Sequence, residues 1–217
     1  MKERRLREKE QRKAQIIEAA RSLILKHGVF SVSVQQVAKL AELSVGTIYL
    51  YFNSKEAIFA ALQEEILDYL HSKCSDAIKG VTVPKKRIEK VAFAYKRFSE
   101  ENKRYFDVIN YFLSPSDVFF PDTLKSEIDQ HGNRILSLLV DAINDGIERG
   151  EFGRVNARRS AIVLWGTLHG LIQFRKLKDT ILRGEDFDEL YSFSVERFID
   201  GIAVHRGAVA QGSPKTK

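Results

Sequence analysis

The chain is poor in several things that would have pointed elsewhere. It has a single cysteine, Cys74, among 217 residues. That excludes an intrachain disulfide framework and fits a reducing compartment. No apolar run approaches the roughly 18 residues a membrane-spanning helix needs, and no signal-peptide pattern opens the sequence. A cytoplasmic location away from membranes is the expectation. Signs of catalysis are missing as well. Gly146, Gly150 and Gly153 close a helical pattern instead of opening a helix after a strand, so they make no phosphate loop. The histidines at 27, 71, 131, 169 and 205 are scattered, with neither HExxH nor Cys/His metal spacing. Carboxylate pairs such as Glu64-Glu65 and Glu100-Glu101 fall on polar helix faces. No metal, cofactor or enzyme class is indicated. Internal repeats and strand-period segments of useful length are absent too, which leaves an all-α chain.

What is present is unevenly distributed charge. The net charge is +6. Residues 1–55 hold 11 basic and 5 acidic side chains, whereas residues 56–217 hold 24 of each. The whole positive excess sits at one end, as an electrostatic footprint for a polyanion would. Hydrophobic residues make up 44%, enough for a core in one large or two small domains.

The basic end contains the most informative stretch, Ser33 to Lys55, SVQQVAKLAELSVGTIYLYFNSK. Ser33 followed three residues later by Gln36 is a capping box. Val34, Val37, Ala38 and Ala41 form one apolar helix face. Glu42-Leu43 makes a turn, and Ser44 caps a second helix over roughly Val45 to Tyr51. So short a helix is unstable alone and must be held by Ile48 and Phe52 packing inward. Val45, Gly46, Thr47, Tyr49, Leu50 and Tyr51 then point outward. Two tyrosines, a threonine and a glycine suit a helix lying against something. Gly46 permits close backbone approach, and the hydroxyls can meet phosphate oxygens. Both a helix-turn-helix and a helical hairpin with a partly buried aromatic face fit this spacing.

The run Ile16 to Phe59 resembles the N-terminal domain of the tetracycline-repressor (TetR) family of bacterial transcription regulators. The matching pieces are IIEAARSLILKHG, SVSVQQVAKLAELSVGTIYLYF and NSKEAIF, with TIYLYF-x-SKE the most specific. The resemblance implies a DNA-binding regulator, most often a repressor, with no catalytic residues. Gln35, Ser44, Val45, Gly46, Thr47, Tyr49, Leu50, Tyr51 and Lys55 are its implied DNA-facing set. Gln35 is the candidate for a base-edge hydrogen bond, since an amide can pair bidentately with adenine. Thr47, Tyr49 and Lys55 would hold phosphates, and Ser44 is mainly a cap.

Elsewhere the chain reads as helices. Residues 1–10 form a basic arm, flexible or a frayed helical lead-in, that either touches DNA or is a solvated tail. The first helix ends at Gly28, with Phe30 and Val32 packing into a three-helix core. Ser54 caps a long helix to about Ile78, a rod leading from the DNA end. The expected division is a helix-turn-helix domain over 1–55, a helical effector-binding and dimerisation domain over 56–206 and a disordered tail over 207–217. Five helices are expected between Pro84 and Arg206, with a linker at 114–121.

The segment Ala157 to Leu177 is apolar on more than one side, as a helix buried all round would be. This helix and the last are expected to pair with their symmetry mates as a four-helix bundle, a homodimer through Trp165, Gly166, Gly170, Phe174, Phe187, Leu190 and Phe198; a wholly intramolecular core is the alternative. The family resemblance implies a palindromic operator on double-stranded DNA. It also implies a small hydrophobic effector, for which Phe98, Tyr105, Phe106, Ile109, Phe112, Phe120, Trp165 and His169 are candidate lining residues. Each of these also fits ordinary packing. Two other readings stay open: a DNA-binding protein with no effector, acting architecturally or through a protein partner, and a helical adaptor or enzyme that has lost DNA binding. Cys74 reads as a small buried hydrophobe.

Overall fold

A computed structural model describes the backbone of residues 2–113 and 122–204, with side chains from 3 to 113 and from 130 to 204. Phe119, Phe120, the 114–121 linker and the tail lie outside the described residues. The helices are α1 (Lys2–His27), α2 (Val34–Leu40), α3 (Val45–Tyr49), α4 (Lys55–Ile78), α5 (Pro84–Glu101), α6 (Lys103–Leu113), α7 (Asp122–Glu148), α8 (Ala157–Phe174) and α9 (Phe187–Ile202). Short 3-10 turns cover Val29–Ser31 and Arg175–Leu177. The fold is all-α, and no strand occurs among the described residues.

Two compact units divide the chain. One comprises Met1–Gly80 and Lys90–Leu138, the other Val81–Glu89 and Leu139–Lys217. Compactness draws no line at residue 55, because α4 packs on α1 and also on α6.

Local chemistry sets the boundaries in the first unit. Gly28 ends α1 at φ 84°, a conformation that only glycine adopts without strain. Ser33 accepts the backbone N–H of Gln36, and the Gln36 side chain accepts the N–H of Ser33, closing the capping box on α2. Ser54 Oγ accepts the N–H of Ala57 at the start of α4. The core is apolar: Ile16, Ala20 and Ile24 of α1, Val37 and Ala38 of α2, Ile48 of α3, and Ile58, Phe59 and Leu62 of α4 are all buried, with α1 packed on α2 and α4 and α2 packed on α3. Phe30 corrects its expectation. The 3-10 turn leaves it 75% exposed, with only its ring resting 5.5 Å from that of Tyr111 on α6. Residues 2–10, expected as a flexible arm, are the first turns of α1.

In the second unit α8 packs against α9. Asn156 caps α8 and Asp186 caps α9. Gly146 lies flat under the Phe152 ring, where an added Cβ would come within 2.1 Å of a ring carbon. Ala161, Leu164, Leu168 and Ile172 form the buried line of α8. On the opposite side Ile162, Val163, Gly166 and Phe174 are exposed among the described residues. The pattern predicts burial all round for this helix, and the described residues bury only one side of it.

Candidate nucleic-acid interface

The interface begins with a turn. Ala41 ends α2 and Glu42 takes φ 54°, left-handed for a residue with a side chain. That reversal redirects the chain into Leu43 and Ser44. Gln15 of α1 steadies the turn by donating from Nε2 to the Ala41 carbonyl at 2.8 Å. Sequence reasoning missed this bond, since no local signal pairs positions 26 apart.

The five residues of α3 could not hold a helix unaided. Ser44 Oγ accepts the Thr47 N–H at 3.0 Å, and the two hydroxyls lie 2.8 Å apart. Ile48 and Phe52 anchor the helix from beneath, both buried. Above them Tyr49 is 48% and Leu50 80% exposed. Gly46 is also exposed, and Val45, Thr47 and Tyr51 are half-buried. Gln35 is exposed on the first turn of α2.

Gly46 has an ordinary helical φ, and a Cβ built there would meet nothing closer than Ser44 Oγ at 3.7 Å. The fold therefore gives no reason for a glycine, although glycine costs a helix up to about 1 kcal/mol relative to alanine. Lys55 stands in the first turn of α4 with its ammonium 5.3 Å from the centre of the Phe59 ring, a cation–π contact one helical turn on. The spacing of four could have announced that contact.

The expected effector residues fall in both units. In the first, Phe98, Phe106 and Ile109 are buried, and Phe112 is half-buried beside Tyr111. Tyr105 lines a cleft of about 390 Å³ with Arg21, Leu62, Glu65, Ile66, Tyr69 and Asn102. In the second unit Trp165 and His169 are half-buried, and burial pushes the His169 pKa down. One residue was missed. Gln63 sits mid-α4, 2% exposed, one turn beyond the buried Phe59, and its Oε1 meets no hydrogen-bond donor among the described residues. A lone amide in an apolar stripe gives no signal in sequence.

Of the expected pairing residues, Gly166 and Phe174 are exposed, and Trp165, Gly170, Phe187, Leu190 and Phe198 are half-buried. Ile162 and Val163 on α8 and Phe193 on α9 are exposed as well. Among the described residues, no helix is long and apolar enough to cross a membrane. None of their His, Cys, Asp or Glu clusters could hold a metal ion.

A capped pair of short helices, an outward second helix and a basic flank define a helix-turn-helix DNA-binding protein. Residues 16–62 match the bacterial regulatory proteins of the tetR family, and residues 88–198, about half the chain, match the tetracyclin repressor-like C-terminal domain. The chain belongs to the TetR family of bacterial transcription regulators. It is 26% identical over 164 residues to the fatty acid metabolism regulator protein of Bacillus subtilis (strain 168), covering 75% of this chain and 82% of that protein. To the transcriptional regulator HbdR of Aromatoleum sp. (strain CIB) it is 34% identical over 86 residues, covering 40% of this chain and only 38% of that protein. The structure of FadR from Bacillus subtilis in complex with stearoyl-CoA matches with a TM-score of 0.68 at 25% identity, covering 87% of this chain and 98% of that one.

Proposed function

We propose that the protein is a repressor that binds a palindromic operator as a homodimer and leaves it when a hydrophobic small molecule binds. The observation that carries this reading is α3, which turns Gly46, Tyr49 and Leu50 outward from a capped, anchored base. Such a surface suits the major groove, with Gly46 letting the backbone come close and Tyr49 and Tyr51 reaching phosphates. Val45 and Leu50 would make apolar contacts, for example with a thymine methyl, while Gln35 would read one base edge. Thr47 would add a phosphate contact, with Ser44 behind it as the cap. Lys55 would leave the Phe59 ring for a phosphate at the start of α4, where helix N–H groups also favour an anion.

The exposed apolar side of α8, together with Phe193 of α9, supports pairing with a second copy. Two-fold pairing is what would set two recognition helices about 34 Å apart, one DNA turn.

For the effector, a fatty acyl thioester is the first candidate, because a relative's structure contains stearoyl-CoA. Gln63 supports an amphipathic ligand, since its unsatisfied amide oxygen calls for a donor inside an apolar interior. It lies eight residues from Lys55 on the same rigid helix, about 12 Å along it. A ligand engaging Gln63 would thus act on the element that begins at DNA, and differential affinity for two positions of α4 would be the switch. The test is anisotropy of a fluorescent operator fragment, titrated with protein and then with stearoyl-CoA, shorter acyl-CoAs and lipophilic cations. Release by one of these classes supports the reading. Undiminished DNA binding with all of them, together with no thermal stabilisation by any, refutes effector control.

A further inference from the structure

The opening turns of α1 carry two different faces. On one, Glu3 pairs with Arg7 at 3.6 Å and Arg4 with Glu8 at 2.9 Å, neutralising itself as solvated helix surfaces commonly do. The other holds Arg5, Lys9 and Arg12, at i, i+4 and i+7. No carboxylate lies within ion-pair distance of these three among the described residues; Arg12 instead donates to Gln15 Oε1 at 2.8 Å. The same line of positions continues through Ile16 and Ala20, both fully buried. So one straight stripe is basic and exposed up to residue 12, then apolar and packed on the helix-turn-helix.

That continuity fixes where the basic face looks. Gln15 is bonded to Ala41 at the turn between α2 and α3, and Lys13 shares a cleft with Tyr51, Phe52 and Asn53 at the far end of α3. Residues 12–15 are therefore level with both ends of the recognition helix. Arg5 and Lys9 project beyond them on the side toward which α1 packs. From Gln15 to Arg5 the helix advances about 15 Å, or some four base pairs at ~3.4 Å each. The stripe also lies outside the residues matched to the family, which begin at 16.

We propose that this projecting part of α1 is a second DNA-binding element, a rigid basic rod whose Arg5 and Lys9 hold phosphates of the duplex flanking the operator core. The inference rests on the DNA-binding reading above and extends the contacted site by about four base pairs on each outer side. It reads phosphate charge and carries no base information. Each phosphate neutralised steepens the salt dependence by about 0.9, so two contacts give nearly two per protomer.

The test uses full-length protein and two duplexes: the operator core defined by footprinting, and the same core with five further base pairs on each side. Two charge-matched variants are compared, Arg5→Gln with Lys9→Gln, and Arg4→Gln with Arg7→Gln. Glutamine keeps the helix, and retained binding to the core duplex reports a folded helix-turn-helix. Wild type is expected to bind the longer duplex about tenfold more tightly. The Arg5/Lys9 variant should lose that advantage and about two from the salt slope per protomer, while the Arg4/Arg7 variant keeps both. Equal losses in the two variants would overturn the proposal, as would a wild type indifferent to the flanks while binding the core. A wild type that bound neither duplex would overturn the DNA-binding reading with it.

Discussion

Substituting Gly46 by alanine should move stability and DNA affinity in opposite directions. The position is exposed, its φ is ordinary and the added methyl would rest 3.7 Å from Ser44 Oγ, a normal van der Waals distance. Nothing inside the protein resists the change. Alanine removes backbone freedom from the unfolded chain and favours helix by up to about 1 kcal/mol. In a chain of this size that is a rise in Tm of about 2–4 °C. The same methyl would stand on the surface we propose for the duplex. If the backbone of α3 approaches a phosphate or base there, it must be held off by roughly 1–2 Å, enough to cost about tenfold or more in affinity. Differential scanning fluorimetry and operator anisotropy, on one preparation, read the two effects. A variant more stable and equally good at binding would refute the claim that Gly46 serves DNA contact. A less stable one would refute the packing argument.

Gln63→Met keeps length and volume while deleting a buried oxygen that lacks a partner among the described residues. Without ligand the variant should be more stable by about 1–3 kcal/mol, and it should lose part of the stabilisation that an amphipathic effector gives; a fall in Tm would contradict this. Lys55→Ala should weaken every DNA sequence alike and lower the salt slope by about one, whereas Gln35→Ala should relax preference at one base position per half-site; anisotropy across a salt series and a substituted operator set separates them. Val163→Glu puts a charge on the apolar side of α8, where the native valine is 62% exposed. It should convert dimer to monomer by light scattering with helicity unchanged, and an unaltered mass would remove α8 from the interface. Burial pushes the Cys74 thiol up to about 12 from an ordinary 9.0. At pH 8 its thiolate fraction is then roughly 10⁻⁴, so thiol reagents should label it only after unfolding. Above pH 9 the unfolded chain releases this proton while the folded one keeps it. Stability should therefore fall from pH 9 to about 12, less steeply in Cys74→Ala.

Much of the fold was legible because its signals are local. Ser33 with Gln36, Ser44, Ser54, Asn156 and Asp186 each announce a helix start within four residues, and each caps one. Gly28 announces a stop in the same way. Periodicity marked Ile48 and Phe52 as anchors, leaving Tyr49 and Leu50 outward. Long-range arrangement was illegible. Phe30 looked like core, but one 3-10 turn rotates it into solvent. Apolar residues around α8 point to pairing with a second copy or to a core within the chain, and sequence cannot distinguish a core neighbour from a second protomer. Gln63 and the Gln15–Ala41 bond depend on packing between distant segments. The cation–π contact of Lys55 with the Phe59 ring depends on side-chain direction, which the sequence alone does not fix.

The central claim is that α3 meets DNA in two copies related by a two-fold axis. Hydroxyl-radical footprinting of the purified protein on its own genomic fragments tests it most directly. The account requires two protected half-sites of inverted sequence, centred about 34 Å or a multiple apart, with protection fading as salt rises. A single unrepeated footprint, or protection that ignores salt, would contradict it.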